Sequence, residues 1–419
     1  MSSNKRIYLC LAHMSEAGLE QKYIQEAFDT NWVAPLGPNV NGFETDLEEF
    51  VGQNKRVVAL SSGTAAVHLA LIACGVGPGD EVCVQSFTFC ASSHPITYLG
   101  ATPVFIDSEP DTWNMDPDLL EEAIKDRIAK TGKAPKAIVP VALYGMPYKI
   151  DRIMEIADRY GIPVIEDAAE GFGSRYNGQV LGTFGKYGVL SFNGNKIITT
   201  SGGGALITAT QDEWSEIKMY ATQYRESYPY YQHEKIGYNY RMSNICAGIG
   251  RGQMTVANDH IAHHKHVQKL YEELLADVPG ITVHSQPATG EYDSNYWLCT
   301  ITLDPSVRIK GQENTYKTIV TEAVGGAAGF VHTASSAVTD CQPNDNVEAL
   351  RIYMDAAGVE ARSVWKPMHK QPVYAGAPAY VNGVSEAVFK VGMCLPAGPC
   401  VSDENVKYIV ENIKTAIVG

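Results

Sequence analysis

Residues 137–170 read AIVPVALYGMPYKIDRIMEIADRYGIPVIEDAAE. An apolar run at 137–143 leads to a helical stretch at 150–160, which Gly161-Ile162-Pro163 terminates before a second apolar run at 163–166. Glycine relaxes the last helical turn and proline cannot continue it, so the helix must stop there. Two short strands joined by an amphipathic helix make the unit of a parallel sheet, since a parallel neighbour is reached only by crossing over one face. The same alternation repeats in both directions. Strands are expected at 56–60, 81–85, 103–106, 188–192 and 205–208, and helices at 64–73 and 116–129. With the first two runs these give an α/β fold, a mainly parallel seven-stranded sheet sandwiched by helices. From about residue 256 the texture changes. Long helical patterns at 259–276, 346–357 and 403–417 alternate with few strands, such as 296–303. The expected division is a large domain at 1–255 and a smaller α+β domain at 256–419. The small-residue stretch 324–338 reads as a loop or lid.

Composition narrows the function. The 419 residues are 45% hydrophobic and 19% charged, which is globular rather than disordered. A net charge of −14 argues against nucleic-acid binding, which needs clustered Lys and Arg to displace counterions. No apolar run approaches the ~18–20 residues of a membrane helix, and no signal peptide is read at the start. The nine cysteines are odd in number and scattered, without a Cys-x-x-Cys pair. Reduced thiols in a cytoplasmic enzyme are expected, with no metal site. His260, His263, His264 and His266 share a helical stretch, but no ligand pair completes a site, so a solvated or interface helix is expected. The tyrosine-rich segment 224–240 reads as a dimer interface near the active site rather than a base-stacking surface.

Three features of the first domain carry chemistry. Ser61-Ser62-Gly63-Thr64-Ala65 follows a strand and opens a helix, so it is either a phosphate cradle or a plain helix cap. In Val164-Ile165-Glu166-Asp167-Ala168-Ala169-Glu170, Asp167 ends a buried parallel strand, where open α/β sheets bind ligands. It could hold a cationic heterocycle nitrogen, cap a helix or join a structural ion pair. Ser191-Phe192-Asn193-Gly194-Asn195-Lys196 puts a lysine beyond a strand end, beside the glycine-rich turn of Gly202, Gly203 and Gly204. That lysine could form a Schiff base with an aldehyde cofactor or lie solvated on the surface. Together the three supply a phosphate cradle, a ring-nitrogen partner and an amine for an aldehyde, which are the needs of pyridoxal 5'-phosphate.

These residues resemble the DegT/DnrJ/StrS sugar aminotransferases, which have the fold-type-I architecture. The resemblance runs over nearly the whole chain. It includes Trp32-Val33-Ala34-Pro35-Leu36-Gly37-Pro38, Ser86-Phe87-Thr88-Phe89, Pro103-Val104-Phe105-Ile106-Asp107, Gly237-Tyr238-Asn239-Tyr240-Arg241-Met242-Ser243-Asn244 and Trp365-Lys366-Pro367-Met368-His369. It implies that Lys196 is the Schiff-base lysine, that Asp167 partners the pyridine nitrogen and that Phe89 stacks on the ring. Thr64, Ala65 and Ser191 would contact the phosphate, with Gly63 in the same cradle, and Glu170 would lie near the ring hydroxyl. Asn239 and Arg241 would reach the phosphate of a partner subunit, implying a homodimer with shared active sites. Trp32, Arg362 and His369 would contact substrate at the rim. Segment 311–346 is longer than the family pattern.

Within the family, Asp111-Thr112-Trp113-Asn114-Met115, the Ser191–Lys196 stretch and His233 before Gly237 resemble transaminases of UDP-2-acetamido-2,6-dideoxy-4-keto-hexose. The implied reaction takes the amino group of L-glutamate, by way of pyridoxamine phosphate, to C4 of that UDP-linked 4-keto-sugar. The product would be UDP-4-amino-4,6-dideoxy-N-acetylglucosamine, for glycan or exopolysaccharide synthesis. The alternatives are a dTDP- or GDP-linked 4-keto-sugar, or a cofactor-binding regulator without turnover. Relatives that dehydrate sugars replace the lysine with histidine, and Lys196 argues against that chemistry.

Overall fold

The computed structural model describes residues 6–316 and 341–418. Seven strands build the main sheet: β1 (Arg56–Leu60), β2 (Glu81–Gln85), β3 (Thr102–Ile106), β4 (Ala137–Val139), β5 (Ile165–Asp167), β6 (Tyr187–Ser191) and β7 (Gly204–Thr208). Strands β3, β2 and β4 pair in parallel, and the parallel bridges Ile138–Val164 and Val141–Asp167 carry β4 onto β5. Strand β5 pairs in parallel with β6, while β7 runs antiparallel between β6 and β1. The order is therefore β3-β2-β4-β5-β6-β7-β1. A further two-residue strand, Ala379–Tyr380, adds in parallel to the outer edge of β3.

The strands are buried on both faces, as their unbroken Val and Ile content requires. Along β1, Val57 and Ala59 enter one core cluster and Val58 and Leu60 the other; along β3, Val104 and Ile106 part from Phe105 in the same way. This is the two-residue period of a pleated strand with apolar layers above and below. The run expected at 137–143 stops pairing as a strand at Val139. Pro140 has no N–H to continue the ladder, and its carbonyl instead accepts from Asp167 N at 2.9 Å.

A third apolar cluster belongs to the later part of the chain. Strands Ile281–Val283, Cys299–Leu303, Gly392–Leu395 and Arg362–Ser363 pair antiparallel in that order. Helices Ala257–Leu275, Asp345–Ala356 and Asp403–Ala416 supply Val267, Tyr271, Leu350, Met354, Ile409 and Ile413 to its core. Backbone hydrogen bonds cross residue 255 at several places. Ile7 N donates to Gly358 O at 2.9 Å, and Phe105 N donates to Pro378 O at 2.9 Å. The stretch 324–338, expected as a loop or lid, lies outside the described residues. Among the described residues no helix is long and apolar enough to cross a membrane, and no two cysteines form a disulfide.

Candidate active site

The carboxyl ends of β1, β5 and β6 converge on one spot. Beyond β1, Ser62 Oγ accepts from Ala65 N at 3.0 Å and caps the helix Gly63–Ala73. A serine cap contributes about 1 kcal/mol and leaves other first-turn N–H groups available to an anion. A Cβ placed on Gly63 would stand 3.2 Å from Ser191 Cβ, so the helix start presses against the end of β6. Arg241 bridges Leu60, and its Nη2 lies 3.4 Å from Glu44 Oε1. Lys218 Nζ is 3.7 Å from the other Glu44 oxygen. Two cations thus share one carboxylate beside the helix start, and the buried Arg241 Nε has no partner among the described residues. Within this chain the Arg241 side chain turns to its own Glu44. Asn239 is exposed and bridges Thr222.

At the end of β5 the buried Asp167 accepts from Ser92 Oγ at 2.6 Å and from Ala169 N at 3.1 Å. Ser92 has spent its one proton on the carboxylate, so Thr88 Oγ1, 2.8 Å away, must donate to it in turn. Burial pushes the Asp167 carboxyl above its ordinary value, against the pull of Ser92, Ala169 and the Lys196 charge. No ion pair within 4 Å reaches Asp167 among the described residues. Glu170 accepts from Tyr144 N at 2.7 Å and lies 3.7 Å from Lys196 Nζ. Burial raises its carboxyl too, opposed first by Lys196.

Lys196 follows the turn after β6, and its side chain is only 13% exposed. Its Nζ sits 3.7 Å from the centroid of the Trp297 ring, and Trp297 Nε1 donates to Asn195 O at 2.6 Å. Burial lowers the amine below its ordinary value, opposed by Glu170, Asp167 and Cys10. The solvated surface lysine is therefore excluded. The Cys10 thiol, pushed by burial to about 12, stays protonated beside it. Asn295 fixes the opposite wall by donating from Nδ2 to Glu170 O and Phe172 O, each at 2.9 Å.

Phe89 is 49% exposed and faces Trp365, with ring centroids 5.3 Å apart. The two rings border an open cleft of about 350 Å³, together with Thr88, Cys90, His94 and Lys366. Trp365 N donates to Tyr144 Oη at 2.8 Å, tying the cleft to the turn that holds Glu170. His369 Nδ1 lies 2.7 Å from Ser86 Oγ. The structure thus links Lys196, Asp167, Glu170, Phe89 and His369 through shared contacts. Arg362 instead pairs with Glu360 at 2.7 Å, and Trp32 is an exposed ring whose carbonyl accepts from Asn244. Sequence reasoning missed Ser92, Trp297, Asn295 and Cys10. The histidine helix, expected as solvated or interfacial, is solvated only in part. His266 alone sits exposed, 2.8 Å from Asp403, whereas His260 and His264 are buried because that helix face packs on the chain's own body. Among the described residues no group of three or more His, Cys, Asp or Glu is placed to hold a metal ion.

Comparison with known proteins agrees with this geometry. The profile of the DegT/DnrJ/EryC1/StrS aminotransferase family matches residues 15–335 and 312–414. The chain is 42% identical over 412 residues to "Putative pyridoxal phosphate-dependent aminotransferase EpsN" of Bacillus subtilis (strain 168), covering 97% of this chain and 95% of that protein. It is 33% identical over 402 residues to the GDP-perosamine synthase of Caulobacter vibrioides, covering 96% of each. Among solved structures, Streptococcus pneumoniae Spr1654 in its PLP-form superposes with a TM-score of 0.80 at 25% identity, covering 98% of each chain.

Proposed function

The chain belongs to the DegT/DnrJ/EryC1/StrS aminotransferase family, and from that membership we propose that it aminates C4 of a UDP-linked 4-keto-sugar with L-glutamate as donor. The enzyme is a pyridoxal 5'-phosphate-dependent nucleotide-sugar aminotransferase. Our finer reading of the acceptor is UDP-2-acetamido-2,6-dideoxy-4-keto-hexose, giving UDP-4-amino-4,6-dideoxy-N-acetylglucosamine for glycan or exopolysaccharide synthesis. The observation that carries the reading is a buried amine, Lys196 Nζ, facing Glu170 and Trp297 in the same pocket as Asp167.

The residues present fit the cofactor. Asp167 is a buried carboxylate without an ion-pair partner among the described residues, which suits a protonated ring nitrogen. The capped helix start with Gly63, Thr64, Ala65 and Ser191, backed by the surplus charge of Arg241 and Lys218, suits a phosphate. Lys196 would hold the aldehyde and Phe89 would cover the ring. Bound there, the cofactor supplies an electron sink for the charge left when the donor's α-proton departs.

The rest falls to the chain. Lys196 Nζ, biased toward its neutral form by burial, would take the donor's α-proton and return it two atoms along, to the carbon of the cofactor's former aldehyde. The Ser92 hydrogen bond holds the Asp167 carboxylate ionised and aimed at the ring nitrogen. Trp297 and Trp365 keep water from the amine. The large domain at 1–255 would supply most of these groups and the smaller one at 256–419 the Trp297 and Trp365 walls.

A homodimer is part of this proposal. Phe28, Trp32, Val33 and Leu36 are exposed along one segment, as are Tyr228, Tyr230, Tyr231 and Ile236 along another. Monomers rarely leave such apolar groups in water. A cytoplasmic setting fits cysteines without disulfides.

A second acceptor, a GDP-linked 4-keto-sugar, is favoured by the likeness to GDP-perosamine synthases. One panel decides between them. Purified enzyme with glutamate is offered UDP-, GDP- and dTDP-linked 4-keto-sugars, and the aminated product is identified by NMR. Amination of the GDP-sugar alone overturns the UDP assignment, and cofactor binding without any amine transfer would mark a regulator. Borohydride reduction should leave the cofactor on the peptide containing Lys196.

A further inference from the structure

His260 and His264 lie four residues apart on the helix Ala257–Leu275 and therefore on one face, about 6 Å apart along its axis. Both imidazoles are buried. His260 Nδ1 lies 3.0 Å from Ile197 O, and His264 Nδ1 lies 3.1 Å from Tyr296 O. A carbonyl oxygen can only accept, so each Nδ1 carries the proton and each ring is the Nδ1–H tautomer. Burial keeps both rings neutral, pushing His264 down to about 3.

The two carbonyls adjoin the two members of one contact. Ile197 follows Lys196, and Tyr296 precedes Trp297, the indole that Lys196 Nζ faces at 3.7 Å. Tyr296 sits in the left-handed region at φ +49°, a conformation that a non-glycine residue keeps only when its neighbours hold it. One helix face thus grips two segments a hundred positions apart in the chain. We propose that His260 and His264 are positioning residues that set the separation of the Lys196 amine from the Trp297 ring. The inference rests on the reading of Lys196 as the residue that holds the cofactor.

The groups facing Lys196 are Asp167 at the end of β5, Glu170 from the turn beyond it and Cys10 from the amino-terminal segment. Those facing the imidazoles are His13, Asp259 and His263. None of these is altered by removing a donor at position 264. Loosening the grip would let the indole shift and water reach the amine, moving its titration back toward the ordinary lysine value.

The test uses the full-length chain freed of cofactor. Trace acetylation by acetic anhydride across a pH series, read by mass spectrometry on the Lys196 peptide, gives the amine's midpoint. His264→Leu should raise that midpoint by about one unit, whereas His264→Asn, whose amide reaches near the Nδ1 position, should keep the wild-type value. An unchanged midpoint in His264→Leu, even with a lower Tm, overturns the proposal. Should that variant fail to fold, His260→Leu and His260→Asn give the same comparison. In wild-type protein, ¹⁵N NMR of the histidines should show two Nδ1–H tautomers; Nε2–H rings at these positions would overturn it as well. Cofactor trapped on another lysine would sink the functional reading while leaving the acetylation midpoint and tautomers to be read independently.

Discussion

Ser92 Oγ lies 2.6 Å from Asp167 Oδ2 and is the one side chain that donates to that carboxylate among the described residues. It joins the segment after β2 to the end of β5, and Thr88 backs it. Hydrogen bonds to charged groups contribute about 1.5–3 kcal/mol, so Ser92→Ala should weaken cofactor retention roughly tenfold or more. Equilibrium dialysis of the coloured enzyme measures this, and Ser92→Thr should restore most of it.

Lys196→Ala removes the only amine facing Glu170 and Trp297 among the described residues. Loss of a positioned acid–base group costs on the order of 10²–10⁴-fold. Single-turnover spectra with glutamate should slow at least that much, while the far-ultraviolet circular dichroism stays as in wild type.

Asp167 gives a pH signature in cofactor-free protein. Its folded-state pKa is raised, so the native state holds this proton more tightly than the unfolded chain. The site's contribution to stability is therefore present below the ordinary value of 3.8 and is lost as pH rises through the higher folded-state value. Asp167→Asn escapes that loss. Cofactor-free Asp167→Asn should gain Tm relative to wild type as pH increases, even though it binds cofactor worse. A Tm difference independent of pH would contradict the assignment of a strained, buried charge.

Glu170 supports the protonated form of the Lys196 amine from 3.7 Å. Glu170→Gln removes that support, so the amine loses its proton at lower pH. The acid limb of the turnover profile should move toward lower pH, and turnover at the optimum should change less than about tenfold. An acid limb that stays in place would show that Glu170 is not charged in the working enzyme.

Much of the sheet was legible because Val- and Ile-rich runs and the Gly161–Pro163 stop mark strands and crossovers locally. What stayed hidden was direction and reach. The apolar run of β7 reads the same whether parallel or antiparallel, and Pro140 cut short a run that looked continuous. In the site, Lys196 and Asp167 stood out because each ends a strand beside a recognisable motif. Trp297, Ser92 and Cys10 carried no such mark. Each is ordinary in its own neighbourhood and gains meaning only through contacts with segments far along the chain. The buried state of Lys196 itself follows from those distant partners, as does that of His260 and His264, whose helix reads as solvated or interfacial from its own stretch of sequence.

The short strand Ala379–Tyr380 on β3 has a consequence for biosynthesis. Until that segment emerges, β3 presents an unpaired edge, and Asp107 lacks the N–H groups of Asn382, Gly383 and Ser385 that later satisfy its carboxylate. At ~5–20 residues per second, a ribosome leaves the edge bare for roughly tens of seconds. During that interval β3 is a template for pairing with other nascent chains. Rare codons between β3 and this late strand would prolong the exposure and lower the yield of correctly folded protein without changing a single amino acid.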